Sequence, residues 1–464
     1  MNNKNIFLVP LFALLSLNAC SINNPSEPED SKPEPVEPSN PSKPGEEDDG
    51  KLPLNPLTPV YSYSFPNLGK EVMPISAWVA PWHAGGNNHI TLQQYQNIKD
   101  AGLNSIYGLY ERIGVNNADV FAALDLADQV GLTYLARDDS INALAEDDND
   151  FIAHMEEFTA HPSFGGLLIK DEPGKASFDG LVPARKLFRK YYTKYAYFIN
   201  LFPTYARGQQ LSGDETEIDY DEYVDSYLKT IGPQMLSYDF YGLKTNFPEV
   251  KEDYFNQIYI SKKYADQNKI PFWPFIQTCQ FHSTYRLPNE ADMYWQVGAN
   301  LVFGAKAIQY FCYMCPYEEP DWPGNLIDFN GNKTDIYYYC QKVNKFITDI
   351  DHILMKSTLV DSMKFGESPA PLPEEFSFVT SSREIKSVET ESNVIIGVFN
   401  HDGKTAAYVF NNDLVNEAYV TINFTTKVDV DIYDFTKKDS FAELDYVSVN
   451  LRPGTSALID LTNY

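Results

Sequence analysis

Gly165-Gly166-Leu167-Leu168-Ile169-Lys170-Asp171-Glu172-Pro173-Gly174 is an apolar run that stops on two adjacent carboxylates, then on Pro and Gly. A short apolar stretch bounded by glycines and by Pro-Gly reads as a buried strand. It delivers Asp171 and Glu172 to the strand's C-terminal mouth. Burial disfavours the charged form of a carboxyl group, so at such a place one acid stays protonated beside an ionised neighbour. That combination equips a site for general acid catalysis. The same residue types also cap strand-to-helix turns, where an acidic side chain feeds a helix N-terminus.

Working outward, short apolar runs alternate with helix-period segments about eight times, the pattern of a parallel sheet with helical crossovers. The runs are Met73 to Val79, Ser105 to Leu109, Thr133 to Ala136, Gly166 to Lys170, Tyr197 to Leu201, Met235 to Tyr238, Phe272 to Ile276 and Ala307 to Phe311. Leu92, Tyr95, Ile98 and Leu103 repeat at helical spacing, as do Phe121, Leu124 and Ala127, while Gly102 and Gly131 fall where helices should stop. The count predicts an α/β fold, a (β/α)8 TIM barrel over residues 58–366. After about Glu367 the period changes to two. Asn393 to Phe399, Thr405 to Phe410, Tyr419 to Phe424, Val428 to Tyr433 and Arg452 to Leu461 predict a small antiparallel β-sandwich over 367–464, an accessory domain.

At the other end, Lys4 precedes the apolar stretch Ile6 to Leu17, built like a secretory h-region. It leads into Leu17-Asn18-Ala19-Cys20, which resembles the lipobox of bacterial lipoproteins. The resemblance implies a signal peptide over 1–20, a lipidated Cys20, and anchoring at the bacterial outer membrane. Residues 21–57 are rich in Pro, Ser, Glu, Asp and Asn, too poor in apolar surface to offset ordering entropy, and read as a disordered tether.

The chain carries a formal net charge of −28, from 64 acidic and 36 basic residues, which disfavours a nucleic-acid partner. Cys279, Cys312, Cys315 and Cys340 sit in apolar or aromatic surroundings and read as buried free thiols. Cys312-x-x-Cys315 has no second pair or His pair at ligand spacing, so no motif calls for a metal or another cofactor.

In a barrel of this kind chemistry sits at the C-terminal strand ends. Those ends carry Trp82 and His83 after the first strand, Tyr110 after the second, and Asp171 and Glu172 after the fourth. They carry Asn200 on the fifth, Tyr238, Asp239 and Tyr241 on the sixth, Gln277 and Gln280 after the seventh, and Tyr310 and Tyr313 at the eighth. Aromatic faces stack on sugars while carboxylates and amides bind hydroxyls, so the set suits a carbohydrate. Each has a plainer reading: Trp82 as a plug of the mouth, Tyr310 and Tyr313 as core, Asp138 and Asp139 as helix caps.

Lys170-Asp171-Glu172-Pro173 resembles the Asn-Glu-Pro that ends strand four in retaining clan A glycoside hydrolases, which implies the acid/base role for Glu172. That clan's second Glu has no counterpart, since Phe275 to Gln280 offers no carboxylate. Met235-Leu236-Ser237-Tyr238-Asp239 resembles the Met-x-Tyr-Asp strand six of chitinase-like hydrolases, whose Tyr and Asp hold a substrate acetamido group. The expectation is a glycoside hydrolase acting on an oligo- or polysaccharide, with Glu172 as general acid, Asp239 as base or orienting residue, and Asp171 tuning Glu172. A non-catalytic surface glycan-binding protein on the same barrel is the alternative.

Overall fold

The computed structural model describes residues 63–463. The predicted signal peptide over 1–20 with Cys20, and the predicted tether over 21–57, lie outside the described residues. Eight parallel strands form the barrel: β1 (Ile75–Ala77), β2 (Ser105–Arg112), β3 (Thr133–Arg137), β4 (Phe164–Asp171), β5 (Ala196–Leu201), β6 (Leu236–Tyr238), β7 (Phe272–Gln277) and β8 (Ile308–Phe311). Hydrogen bonding runs β1-β8-β7-β6-β5-β4-β3-β2. Between β1 and β2 the ring is joined by Asn104, whose N–H donates to Ile75 O (3.0 Å) and whose Oδ1 accepts from Ile75 N–H (2.9 Å), and by Ala80 N–H to Tyr107 O (2.9 Å). Each apolar run read from the sequence falls on one of these strands.

The longer crossover helices are α1 (Leu92–Asp100), α2 (Asn117–Val130), α3 (Asp148–Thr159), α4 (Phe178–Tyr191), α5 (Tyr220–Ile231), α6 (Tyr254–Asn268), α7 (Glu290–Leu301) and α8 (Asp335–Leu354). Helix α1 starts at Thr91, whose hydroxyl accepts the Gln94 N–H, and buries Tyr95 and Ile98 against the barrel. Helix α2 stops at Gly131, which is left-handed (φ 67°) and returns its N–H to Ala127 O and Asp128 O.

Gly166 has a structural duty. At φ 135°, a Cβ there would stand 2.2 Å from Ala196 O on β5, so only glycine lets β4 and β5 approach this closely. Inside the barrel Tyr107 packs on Phe198 (ring centroids 4.7 Å) and Phe275 (6.4 Å), and Trp273 meets Phe65 below them (5.6 Å). Burying rings of this size stabilises by about 2–3 kcal/mol each. Strand alternation puts Tyr107, Phe198, Trp273 and Phe275 inward and their neighbours toward the helices.

The C-terminal sheet is seven-stranded and antiparallel: β9 (Thr358–Phe365), β10 (Ile385–Glu389), β11 (Val394–His401), β12 (Lys404–Asn411), β13 (Ala418–Tyr433), β14 (Lys438–Leu451) and β15 (Ser456–Asn463). Its halves share an apolar core of Met363, Ile396, Val409, Ile422, Val447 and Ile459. Two sequence expectations are corrected. Thr358–Phe365, assigned to the barrel segment ending at 366, pairs with β11, so the sheet begins directly after α8. The runs 419–424 and 428–433 are one strand, β13, whose register with β14 shifts between Asn423 and Val428. The sheet rests on α7 and α8: Trp295 Nε1 donates to Asn412 Oδ1 (2.9 Å), and Phe346 stacks on Phe435 at 4.6 Å.

Candidate active site

At the C-terminal end of the barrel, β5 carries an asparagine between two acids supplied by its flanking strands. Asn200 Nδ2 donates to Asp171 Oδ1 (3.2 Å) and to Asp239 Oδ1 (3.0 Å). The orientation of that amide is set from the barrel interior. Tyr107 OH donates to Gln309 Oε1 (2.5 Å), Gln309 Nε2 to Ser237 Oγ (3.0 Å), and the Ser237 hydroxyl to Asn200 Oδ1 (2.9 Å). With its Oδ1 taken by the Ser237 hydroxyl, Asn200 turns its N–H groups toward the acids.

Glu172 completes the group. Its N–H donates to Asn200 O (2.9 Å), and its backbone is left-handed at φ 44°, a strained conformation for a side-chain-bearing residue. Val79 (φ 63°), following β1, and His282 (φ 50°), in the loop after β7, are strained at the same end of the barrel. The acids titrate as a group. Burial, then repulsion from Asp239 and Asp171, hold the Glu172 carboxyl well above the usual carboxylate range. Burial and the charge on Asp171 raise Asp239 to about 7, against hydrogen bonds from Asn200 and Tyr241. Burial raises Asp171 to about 6, with the Asn200 N–H, Arg137 and Lys170 pulling it back. Of the three, Asp171 is therefore ionised first and Glu172 is the acid most disposed to keep its proton. Asp171 and Glu172 are half-buried and Asp239 is buried, so the proton-holding acid remains accessible.

The structure brings Asp171, Glu172, Asp239, Asn200 and Tyr241 together. The other residues singled out from the sequence have other partners. Tyr238 faces the helical layer, its hydroxyl donating to Asn300 Oδ1 on α7 (3.0 Å), so Tyr241 is the tyrosine that meets Asp239. Tyr310 donates to Asn344 on α8 (2.5 Å) and Tyr313 to Gln94 O on α1 (3.0 Å), so both are packing residues. Trp82 is fully buried, donates to Cys315 O (2.9 Å) and packs on His89 and Tyr317. His83 meets Asp119 on α2 (3.2 Å). Tyr110 donates to Glu318 and accepts the Tyr317 N–H (2.9 Å) at the rim. Gln277 is buried and ties down the loop after β7 by donating to Cys279 O (3.1 Å) and Arg286 O (2.9 Å). Gln280 is half-buried, its backbone N–H bonded to Pro323 O (3.0 Å). Asp138 accepts from Ser140 N–H (2.8 Å) and faces His154 (2.7 Å). All four described cysteines are buried and free.

Strand-end reading did not find Tyr205, Lys251 and Tyr285, which belong to the loops after β5, β6 and β7. Tyr205 lies within electrostatic reach of Asp239 and Glu172 and shares a hydrogen bond with Tyr285. Arg137, at the end of β3, is paired with Asp139 (3.0 Å) and acts on Asp171.

No family model and no curated protein sequence matches this chain. Among solved structures, one described as a glycoside hydrolase superposes with a TM-score of 0.50 at 9% identity, covering 84% of this chain and 92% of its own. An Anoxybacillus alpha-amylase superposes at 0.49 and 10% identity, covering 86% and 99%. A family 5 glycoside hydrolase from Bacteroides vulgatus does so at 0.49 and 10%, covering 84% and 89%. The first of these likenesses speaks for a shared fold and for nothing finer; the other two are neighbours in shape.

Proposed function

We propose that this protein hydrolyses glycosidic bonds of an oligo- or polysaccharide. The observation that carries the reading is the acid trio: a half-buried Glu172, its carboxyl held well above the usual range, beside Asp171 and Asp239, both bonded by one amide of Asn200. Glu172 protonates the departing glycosidic oxygen. Asp239, ionising near 7 and bonded by Asn200 and Tyr241, is the base or the group that orients the nucleophile. Asp171 keeps the Glu172 proton in place through its negative charge. Carboxyls about 5–5.5 Å apart would retain configuration through a covalent intermediate, and a wider separation would leave room for an attacking water. Cys20 carries the lipid that holds the protein at the bacterial outer membrane, as its Leu-Asn-Ala-Cys context suggests.

One observation favours the second reading, a glycan-binding protein without turnover. The end of β7 presents Gln277, engaged with backbone carbonyls, where a second carboxylate would be expected of a clan A hydrolase. Incubation with plant, fungal and host glycans separates the two. Hydrolysis products that disappear in Glu172→Gln, with glycan binding kept, are expected; binding without products in the wild type would establish the second reading.

A further inference from the structure

Beside the acid trio stands a cation whose charge meets no carboxylate. Lys251, in the loop after β6, places its Nζ 3.7 Å from the centroid of the Tyr205 ring and 4.8 Å from that of Tyr285, and donates to Tyr285 OH at 2.9 Å. Phe240 forms a further wall at 5.6 Å. Among the described residues no carboxylate oxygen lies within 4 Å of this ammonium, whereas Arg137 and Arg286 on the same end of the barrel are paired with Asp139 (3.0 Å) and Asp292 (2.6 Å). Ring faces attract an ammonium by about 0.5–2 kcal/mol, less than the loss of hydration they replace. Burial accordingly pushes the Lys251 ammonium down to about 8, with Asp253 acting to raise it and Lys244 to lower it.

The geometry is that of a subsite next to the reaction centre. Tyr205 is 39% exposed and joins the two: one face carries Lys251, and its hydroxyl lies within reach of Asp239 and Glu172. The exposed part of this ring offers a sugar an aromatic surface to pack on. In a chain of net charge −28, with three acids at the mouth, an anionic ligand is repelled unless a local cation receives it. Lys251 retains N–H donors beyond the one given to Tyr285, enough for a charge-assisted bond to a carboxylate or sulfate oxygen. We propose that Lys251, framed by Tyr205, Tyr285 and Phe240, forms a subsite for a sugar bearing an anionic substituent, a uronate carboxylate or a sulfate. This inference rests on the carbohydrate reading of the neighbouring acids and names the class of glycan they would act on.

The test is titration calorimetry on the full chain with galacturonate, galactose 6-sulfate and galactose, for the wild type, Lys251→Met and Lys251→Arg, each checked for an unchanged melting temperature. The wild type is expected to bind at least one anionic sugar about tenfold or more tighter than galactose, with the preference weakening as salt is added. Lys251→Met should bring anionic and neutral sugars to equal affinity, and Lys251→Arg should keep most of the preference. Which anionic sugar is preferred identifies the substituent. Equal affinities in the wild type, no binding of any of the three, or a preference that survives Lys251→Met would overturn the proposal. Its failure is separable from that of the hydrolase reading: neutral glycans cleaved without anionic preference would remove the subsite alone, and anionic binding without any cleavage would remove the hydrolase alone.

Discussion

Replacing Glu111 by Gln should change the pH dependence of stability while leaving the barrel intact. Glu111 is fully buried near the end of β2, where it accepts a hydrogen bond from Tyr134 OH (3.2 Å) and its Oε1 has no partner. Burial raises its carboxyl from an ordinary value of 4.5 to about 8, against hydrogen bonds that favour the charged form. Between those values the folded chain holds a proton that the unfolded chain has released. Its contribution is therefore full below pH 4.5, falls as pH rises, and is gone above about 8. At roughly 1.4 kcal/mol per pH unit, the wild type loses up to about 5 kcal/mol through this one group across that window. Gln is neutral and nearly isosteric, keeps an acceptor for Tyr134, and does not titrate. Urea unfolding followed by tryptophan fluorescence, at intervals from pH 4.5 to 8.5, should show the variant gaining on the wild type steadily with pH. The remaining buried acids are common to both chains and cancel in the difference. Parallel curves would show that Glu111 ionises inside the folded chain as it does in water, and would refute its burial as an uncharged acid.

Other consequences follow from the same geometry. Asn200→Leu removes a donor from both Asp171 and Asp239; a hydrogen bond to a charged group contributes about 1.5–3 kcal/mol, so the acidic limb of the pH–kcat/KM profile should move up by about one unit or more. An unmoved limb would show that Asn200 does not tune the pair. Gly166→Ala forces a Cβ to within 2.2 Å of Ala196 O at φ 135°, and should cost about 2–4 kcal/mol in unfolding free energy; an unchanged melting temperature would contradict the close β4–β5 approach. Cys20→Ala should abolish metabolic labelling with palmitate and release the protein from the membrane fraction; unchanged labelling would place the lipid elsewhere or remove it from the account.

The eight barrel strands were legible because each is a short apolar run that ends at Gly, Pro or a charge, and Asp171, Glu172 and Asp239 because they terminate such runs. Side-chain direction was the harder step. Ser237 and Gln309 face inward and bond to each other, so by strand alternation Tyr238 and Tyr310 must face the helices, yet strand-end position alone singled out the two tyrosines. Nothing local tells which ring of a long loop folds over the mouth, which is why Tyr205, Lys251 and Tyr285 stayed hidden. Strand β9 was missed because only three residues, Met355 to Ser357, separate it from α8, leaving no linker to mark the change of domain.

The most direct measurement is an infrared pH titration of the protonated-carboxyl C=O band in the wild type and in Glu172→Gln, in which the Glu111 contribution is common to both. A band that persists at neutral pH in the wild type and is missing from the variant is the expected result. Identical spectra at neutral pH would mean that Glu172 is ionised there, and would contradict its assignment as the acid of the trio.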